Sequence, residues 1–388
     1  MRIIYIADIR LPTEKAHGIQ IMKMCEAFGF QGLNIELIIP KRFNPIKKNP
    51  FEYYGVKRNF EIKKIFSFDL TFFWPILRSL SFWWQSFWFA IFSSLQMLFK
   101  KSDIIYSRDS LPLFFLSFFR ENLVYEIHTF PKTPFLYKRI FKRVKKFIVI
   151  TQKLKDLLLK IGISEDKILV APDAVDLKEF EIEESQKQCR KKLNLPLDKK
   201  IVLYTGHLFE WKGATVLLEA ARNFQFPISN FQNILFIFVG GTEKDIENFK
   251  LKISNLKLNN VLMVGHRPHM EIPYWLKAAD ILVLPNSSKE KISQFYTSPL
   301  KMFEYMTSQK PIVASDLPSI REILNENNAI LVRPDDPRVL AEGIQKALKN
   351  KDLSGIISQK AYSDVREYTW QKRAKNILDF IIKRAREK

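Results

Sequence analysis

Ile201-Val202-Leu203-Tyr204-Thr205-Gly206-His207-Leu208-Phe209-Glu210-Trp211-Lys212-Gly213 passes from an apolar run into a glycine-flanked turn. An amphipathic segment over 214–223 follows it. A short run rich in Ile, Val and Leu, with no polar alternation, suits a strand buried on both faces of a parallel sheet. Glycine at its end lets backbone approach a ligand. A lysine at the mouth of the next helix adds charge to a helix N-terminus. Strand, glycine turn and helix thus make a suitable diphosphate site, although ordinary turns share the pattern. It is not a Walker A loop, because the glycine spacing and the Ser/Thr after Lys212 are missing.

The same alternation extends in both directions. Further strand candidates are 3–6, 35–39, 104–106, 123–127, 147–150 and 168–170 upstream, and 234–239, 261–264, 281–284, 311–314 and 329–332 downstream. Amphipathic segments such as 18–28, 152–161 and 299–308 supply crossover helices. The expectation is an α/β protein of two Rossmann-like doubly wound domains. They join near residue 182 in a polar, charged connection, giving 1–182 and 183–370, with a helix over about 371–388 packing back on the first.

A length of 388 residues fits two such domains, and 47% hydrophobic with 27% charged residues describes a folded chain. Cys25 and Cys189 form neither a metal pattern nor a disulfide framework, so a reducing compartment, the cytoplasm, is expected. Net charge is +21, and residues 1–150 hold 24 Lys and Arg against 11 Asp and Glu, whereas 201–350 hold 17 against 15. One domain therefore meets something anionic. No helix-turn-helix, zinc-finger or RNP pattern accompanies the charge, so no nucleic-acid partner is expected. Anionic phospholipid or a lipid diphosphate fits instead.

Residues 79–99 carry no charge and include Trp83, Trp84 and Trp88. The run is long enough to span a bilayer. Ser and Gln punctuate it, however, and a span there would split one sheet across the membrane. A buried or membrane-dipping helix is the expectation.

Thr297-Ser298-Pro299-Leu300-Lys301-Met302-Phe303-Glu304-Tyr305-Met306 is the second chemical cluster. Ser298 can cap a helix with Pro299 at its first position, leaving N–H groups for a phosphate. Glu304 can accept hydrogen bonds from vicinal ribose hydroxyls, where a merely structural Glu would be solvated. His128 ends a strand candidate at the edge where open α/β sheets bind ligands. Asp8 and Arg10 follow the first strand and are acceptor-side candidates with His17 and Arg108. A local ion pair between Arg108 and Asp109 explains those two equally well. His269 is assigned no role, and His266 with Arg267 has a place near the nucleotide as its one functional reading.

Residues 206–213, Ala278-Ala279-Asp280, Ser298-Pro299-Leu300-Lys301 through Glu304, and 310–316 together resemble the donor half of the retaining glycosyltransferases of family four, which have the GT-B fold. The first half agrees, with Pro12 and a loop reaching Gly18, Tyr125-Glu126-Ile127-His128, and Pro172-Asp173-Ala174-Val175-Asp176. The resemblance implies an interdomain cleft that binds a nucleotide-diphosphate sugar. Lys212 and His207 would hold its diphosphate, with Gly206, Ser298, Pro299, Leu300 and Lys301 around it. Glu304 would hold the ribose, and Gly18 and His128 would line the cleft near the sugar. His128, Lys212 and Glu304 are then the catalytic candidates. Two departures stand out. His207 replaces the family's usual Arg, and Tyr296 stands where an earlier Glu is usual, with Glu290 in the same loop as a substitute.

The implied reaction is transfer with retention, in which the departing diphosphate takes the acceptor proton. No Asp-x-Asp motif stands at the site, so neither a metal nor a resident cofactor is expected. A glycan or polyprenyl-diphosphate-linked acceptor is implied, used in cell-surface polysaccharide synthesis. With the basic, Trp-rich first half, that places the protein peripherally on the anionic inner face of the membrane. A nucleotide-sugar epimerase of the same fold, or an inactive nucleotide-sugar-binding relative, remains an alternative. A nicotinamide-dependent oxidoreductase does not fit, because no Gly-x-Gly-x-x-Gly follows either opening strand.

Overall fold

The computed structural model describes residues 1–69, 78–131, 137–224 and 233–382. The chain forms two compact units, Met1–Pro172 with Trp370–Lys388, and Asp173–Thr369. In the first unit, strands β1 (Arg2–Ile6), β2 (Asn34–Pro40), β3 (Glu61–Ile65), β4 (Ile104–Ser107), β5 (Leu123–Ile127), β6 (Lys146–Val149) and β7 (Ile168–Val170) pair in the order β3-β2-β1-β4-β5-β6-β7. In the second, β8 (Lys200–Thr205), β9 (Ile234–Val239), β10 (Val261–Gly265), β11 (Ile281–Leu284), β12 (Ile312–Ser315) and β13 (Ile330–Val332) run β10-β9-β8-β11-β12-β13. The pairings are parallel in both sheets.

Each sheet is covered on both faces, which is why its strands read as unbroken apolar runs. Along β8, Ile201 and Leu203 enter one core while Val202 and Tyr204 enter the other, the two-residue period of a strand. Strand order reverses between β1 and β4 and again between β8 and β11. At such a point the connections leave in opposite directions and open a crevice beyond the carboxyl ends of the strands. Both candidate clusters lie at those edges. One strand escaped the sequence reading. β3 is an edge strand, Glu-Ile-Lys-Lys-Ile, with only Ile65 buried, and such charged edges resist further pairing.

The division between units falls earlier than the polar connection at 182. The Val175 N–H donates to the Tyr368 carbonyl at 2.9 Å, and Leu177, Phe180 and Ile182 pack on the second unit's core. Polar composition near 182 marks a surface loop there and no break in packing. The returning helix, Trp370–Ile382, buries Trp370, Ala374, Ile377 and Ile381 and packs on Ala16–Phe30. Residues 383–388 of the expected helix lie outside the described residues.

The uncharged run forms the helix Arg78–Phe99. Ser81, Gln85, Phe89, Ser93 and Met97 lie at four-residue intervals on its buried side, while Trp83 is 64% and Phe99 92% exposed. Among the described residues no helix is long and apolar enough to cross a membrane.

Candidate functional site

In the second unit β8 delivers the chain to Gly206 beside Gly240, the residue after β9. A Cβ on Gly240, whose φ is 126°, would lie 2.2 Å from the Gly206 carbonyl oxygen. Gly213, at φ 70°, is equally constrained, since its Cβ would fall 1.7 Å from the Pro285 carbonyl oxygen. Only glycine lets these loops meet. Tyr305 ties the helix Leu300–Thr307 to the strand, its hydroxyl accepting the Thr205 N–H at 2.8 Å.

That framework gathers two lysines and a carboxylate. Burial holds the Lys301 ammonium well below the ordinary lysine range, and Lys212 lowers it further. Its Nζ has no hydrogen-bond partner and lies 3.8 Å from the Tyr204 ring centroid. Burial likewise pushes Lys212 down to about 8, against the opposing pull of Glu304. Its Nζ sits 5.3 Å from the centroid of Trp211. A half-buried Lys212 beside the buried Lys301, with one carboxylate near, forms a site that an anion would complete.

Glu304 is buried, and its Oε1 lies 3.0 Å from His269 Nε2. His269, given no role from sequence, therefore touches the proposed ribose carboxylate. The His207 ring stacks on Phe209 at 5.0 Å, and its carbonyl accepts the Tyr204 hydroxyl at 2.6 Å. Ser298 does not cap the helix. Pro299 occupies the cap position and makes no side-chain cap bond, while the Ser298 hydroxyl accepts the Asp173 N–H at 2.9 Å. Leu300 opens the helix. Tyr296 closes a π-helical turn, Ile292–Tyr296, and Glu290 is exposed just before it.

In the first unit, Asp8 follows β1, Arg108 follows β4 and His128 follows β5, so one sheet edge collects them. His128 Nε2 lies 2.8 Å from Glu126 Oε1. Glu126 is fully buried and also meets Gln20 at 2.9 Å, Arg373 at 2.7 Å and the Tyr106 hydroxyl. Burial favours its neutral form, but Arg373, the His128 bond and Arg108 outweigh this and hold it well below the usual carboxylate range. The Arg108 guanidinium donates to Gln20. The ion pair with Asp109 does not form. Asp109 instead accepts the Asp8 N–H at 2.7 Å. Asp8 is held from its other side by Gln85 at 3.0 Å. Arg10 pairs with Glu14 at 3.0 Å, and His17 is partly buried on the helix Ala16–Phe30. Gly18 has a packing reason to be glycine, since a Cβ there would stand 2.3 Å from the Tyr54 hydroxyl.

Two family profiles match this chain, Glycosyltransferase Family 4 over residues 19–179 and Glycosyl transferases group 1 over 185–364. The chain belongs to glycosyltransferase family 4. Its relatives include TuaC of Bacillus subtilis, named as a putative teichuronic acid biosynthesis glycosyltransferase, 26% identical over 54% of this chain and 48% of TuaC. D-inositol 3-phosphate glycosyltransferase of Corynebacterium urealyticum is 23% identical over 55% of this chain and 50% of its own length. The chain thus spans about half the length of such curated relatives. HepE of Anabaena, solved with UDP-glucose, superposes with a TM-score of 0.77 at 16% identity, covering 99% of this chain and 100% of HepE. Sucrose-phosphate synthase of Thermosynechococcus elongatus gives 0.74 at 16% identity, with 100% of both chains covered. The family-four chain therefore has the GT-B fold.

The residues that sequence reasoning missed, Arg373, Gln20 and His269, share one trait. Each acts on its partner across a long stretch of chain, 247 positions for Arg373 and Glu126, and no local pattern announces it.

Proposed function

We propose that this chain transfers a sugar from a nucleoside-diphosphate sugar to a hydroxyl of a glycan or a polyprenyl-diphosphate-linked acceptor, with retention at the anomeric carbon. The Lys212–Lys301–Glu304 cluster carries this reading. The buried Lys301 and half-buried Lys212 match a diphosphate, and Glu304, on the helix of Lys301, matches a ribose diol. In the transfer, the bond from the anomeric carbon to the diphosphate breaks. The acceptor oxygen bonds to that carbon on the same face, and the acceptor proton passes to the departing diphosphate. Lys212 and Lys301 stabilise the negative charge as it develops, where other enzymes use a divalent ion. His128, oriented by Glu126, contacts the sugar. Asp8, Arg108, Arg10 and His17 belong to the acceptor side.

HepE makes UDP-glucose the first donor to try, and TuaC suggests a role in cell-surface polysaccharide synthesis at the membrane. Thermal stabilisation should be measured with UDP, GDP and ADP and their common sugars. One nucleotide should raise the melting temperature, and Lys212→Ala and Glu304→Gln should remove most of that rise. The stabilising donor should then be incubated with lipid-linked and glycan acceptors, with and without EDTA. Product formed in EDTA is the expected result, and abolition by EDTA would overturn the metal-independent route. Isomerised donor in the absence of acceptor would mean an epimerase.

A further inference from the structure

We propose that the exposed face of the helix Arg78–Phe99 lies in the plane of an anionic membrane surface, without crossing it. The helix turns its Ser and Gln side chains, with Phe89, Ala90 and Met97, toward the protein and most of its large aromatic side chains toward solvent. Its inner stripe of Ser81, Gln85, Ser93 and Ser94 is buried, and that side is moored. Gln85 Nε2 donates to Asp8 at 3.0 Å, and the Ser94 hydroxyl donates to the Pro112 carbonyl at 3.5 Å. Its outer side presents Trp83, Trp84, Phe87, Leu98 and Phe99, each more than 40% exposed. A continuous face of this kind on a folded protein marks an interaction surface.

Charge beside that face selects the occupant. Phe87 meets Phe115 at 5.9 Å, Phe115 meets Phe114 at 5.5 Å, and Phe114 meets Phe118 at 5.5 Å. The Arg139 guanidinium then lies 3.6 Å from the Phe118 centroid. The aromatic face thus runs into the helix Lys138–Arg143, where Lys138 and Lys142 are exposed, with Lys145 just beyond it. Not every basic residue of the run takes part, since Lys146 is buried with its Nζ on the Asp166 carbonyl. Aromatic residues settle at the level of lipid headgroups, and lysines beside them attract anionic lipid. A protein partner would not require both.

Gln85 joins this surface to Asp8 within one unit, so the docking helix braces the sheet edge assigned to the acceptor. The surface shares no residue with the donor cluster, so docking and donor binding can fail independently.

Flotation of the full chain with phosphatidylcholine vesicles, with and without phosphatidylglycerol, tests the inference. The protein should float with anionic vesicles, sink in high salt and be released by carbonate. Trp83→Ser with Trp84→Ser, and separately Lys142→Glu with Lys145→Glu, should each weaken binding about tenfold or more. Unchanged melting temperatures and nucleotide-induced stabilisation would show these variants to be folded. Absence of flotation, or equal flotation with neutral vesicles, would overturn anionic docking. Resistance to carbonate would overturn the in-plane placement. A dimer that Trp83→Ser dissociates, without flotation, would assign the face to a second copy and overturn the lipid.

Discussion

Arg373 Nη2 lies 2.7 Å from Glu126 Oε1, with 3% and 0% of the two side chains exposed. The pair joins the returning helix Trp370–Ile382 to β5, and the same carboxylate oxygen holds His128. Removing one partner of a buried ion pair strands the other. Arg373→Ala should therefore lower unfolding stability by about 3–5 kcal/mol. Arg373→Met with Glu126→Gln should recover much of that loss, measured by urea denaturation. Recovery by the pair and not by Arg373→Met alone would identify the stranded carboxylate as the cause.

Acid should spare this network longer than surface pairs. Glu126 is held well below its ordinary value, so its contribution is present above the unfolded carboxylate range and is lost only as pH falls through the depressed folded value. Glu126→Gln should flatten that acid limb of the stability curve. A limb of unchanged slope would remove Glu126 from it.

If Lys212 holds the donor diphosphate, it should set an alkaline limit on donor binding. Its ammonium titrates at about 8, and only the charged form attracts a diphosphate. Nucleoside-diphosphate affinity should fall as pH rises above that value, approaching tenfold per unit. Binding near pH 8 should take up protons, seen calorimetrically as heats that vary with the buffer. Lys212→Ala should reduce transition-state stabilisation by about 2–4 kcal/mol and remove this alkaline step.

Glu304→Gln keeps the side chain's shape and discards its charge. Donor affinity should fall by about 1.5–3 kcal/mol, the range for a hydrogen bond to a charged group. Equilibrium titration with the nucleotide checks this. Unchanged affinity would leave Glu304 only its bond to His269.

Asp109 gives a pH effect of the opposite sign. Burial and the neighbouring Asp8 raise its carboxyl from 3.8 to about 6. Stability held through this group is present below the unfolded value and lost as pH rises through about 6. Asp109→Asn keeps an oxygen for the Asp8 N–H. The variant's stability relative to the parent should rise between those two pH values by the order of 2–3 kcal/mol. A constant difference across that range would show that Asp109 titrates normally.

The sequence by itself determined the two parallel sheets, because strands covered on both faces must be apolar along their whole length and buried crossover helices must be periodic. It also placed Lys212, Lys301 and Glu304 in their local elements, since a glycine turn and a helix start are read within ten residues. Tertiary structure alone decided what those residues meet. It left Lys301 without a hydrogen-bond partner, set His269 on Glu304, and turned Ser298 to the Asp173 N–H. It also chose which side of Arg78–Phe99 faces the protein. Composition could not choose that side, because the run is uncharged throughout and both orientations bury apolar area. On the inner side Gln85 reaches Asp8 and Ser94 reaches the Pro112 carbonyl, beside buried Phe89, Ala90 and Met97, while Trp83, Trp84 and Phe87 stay outside.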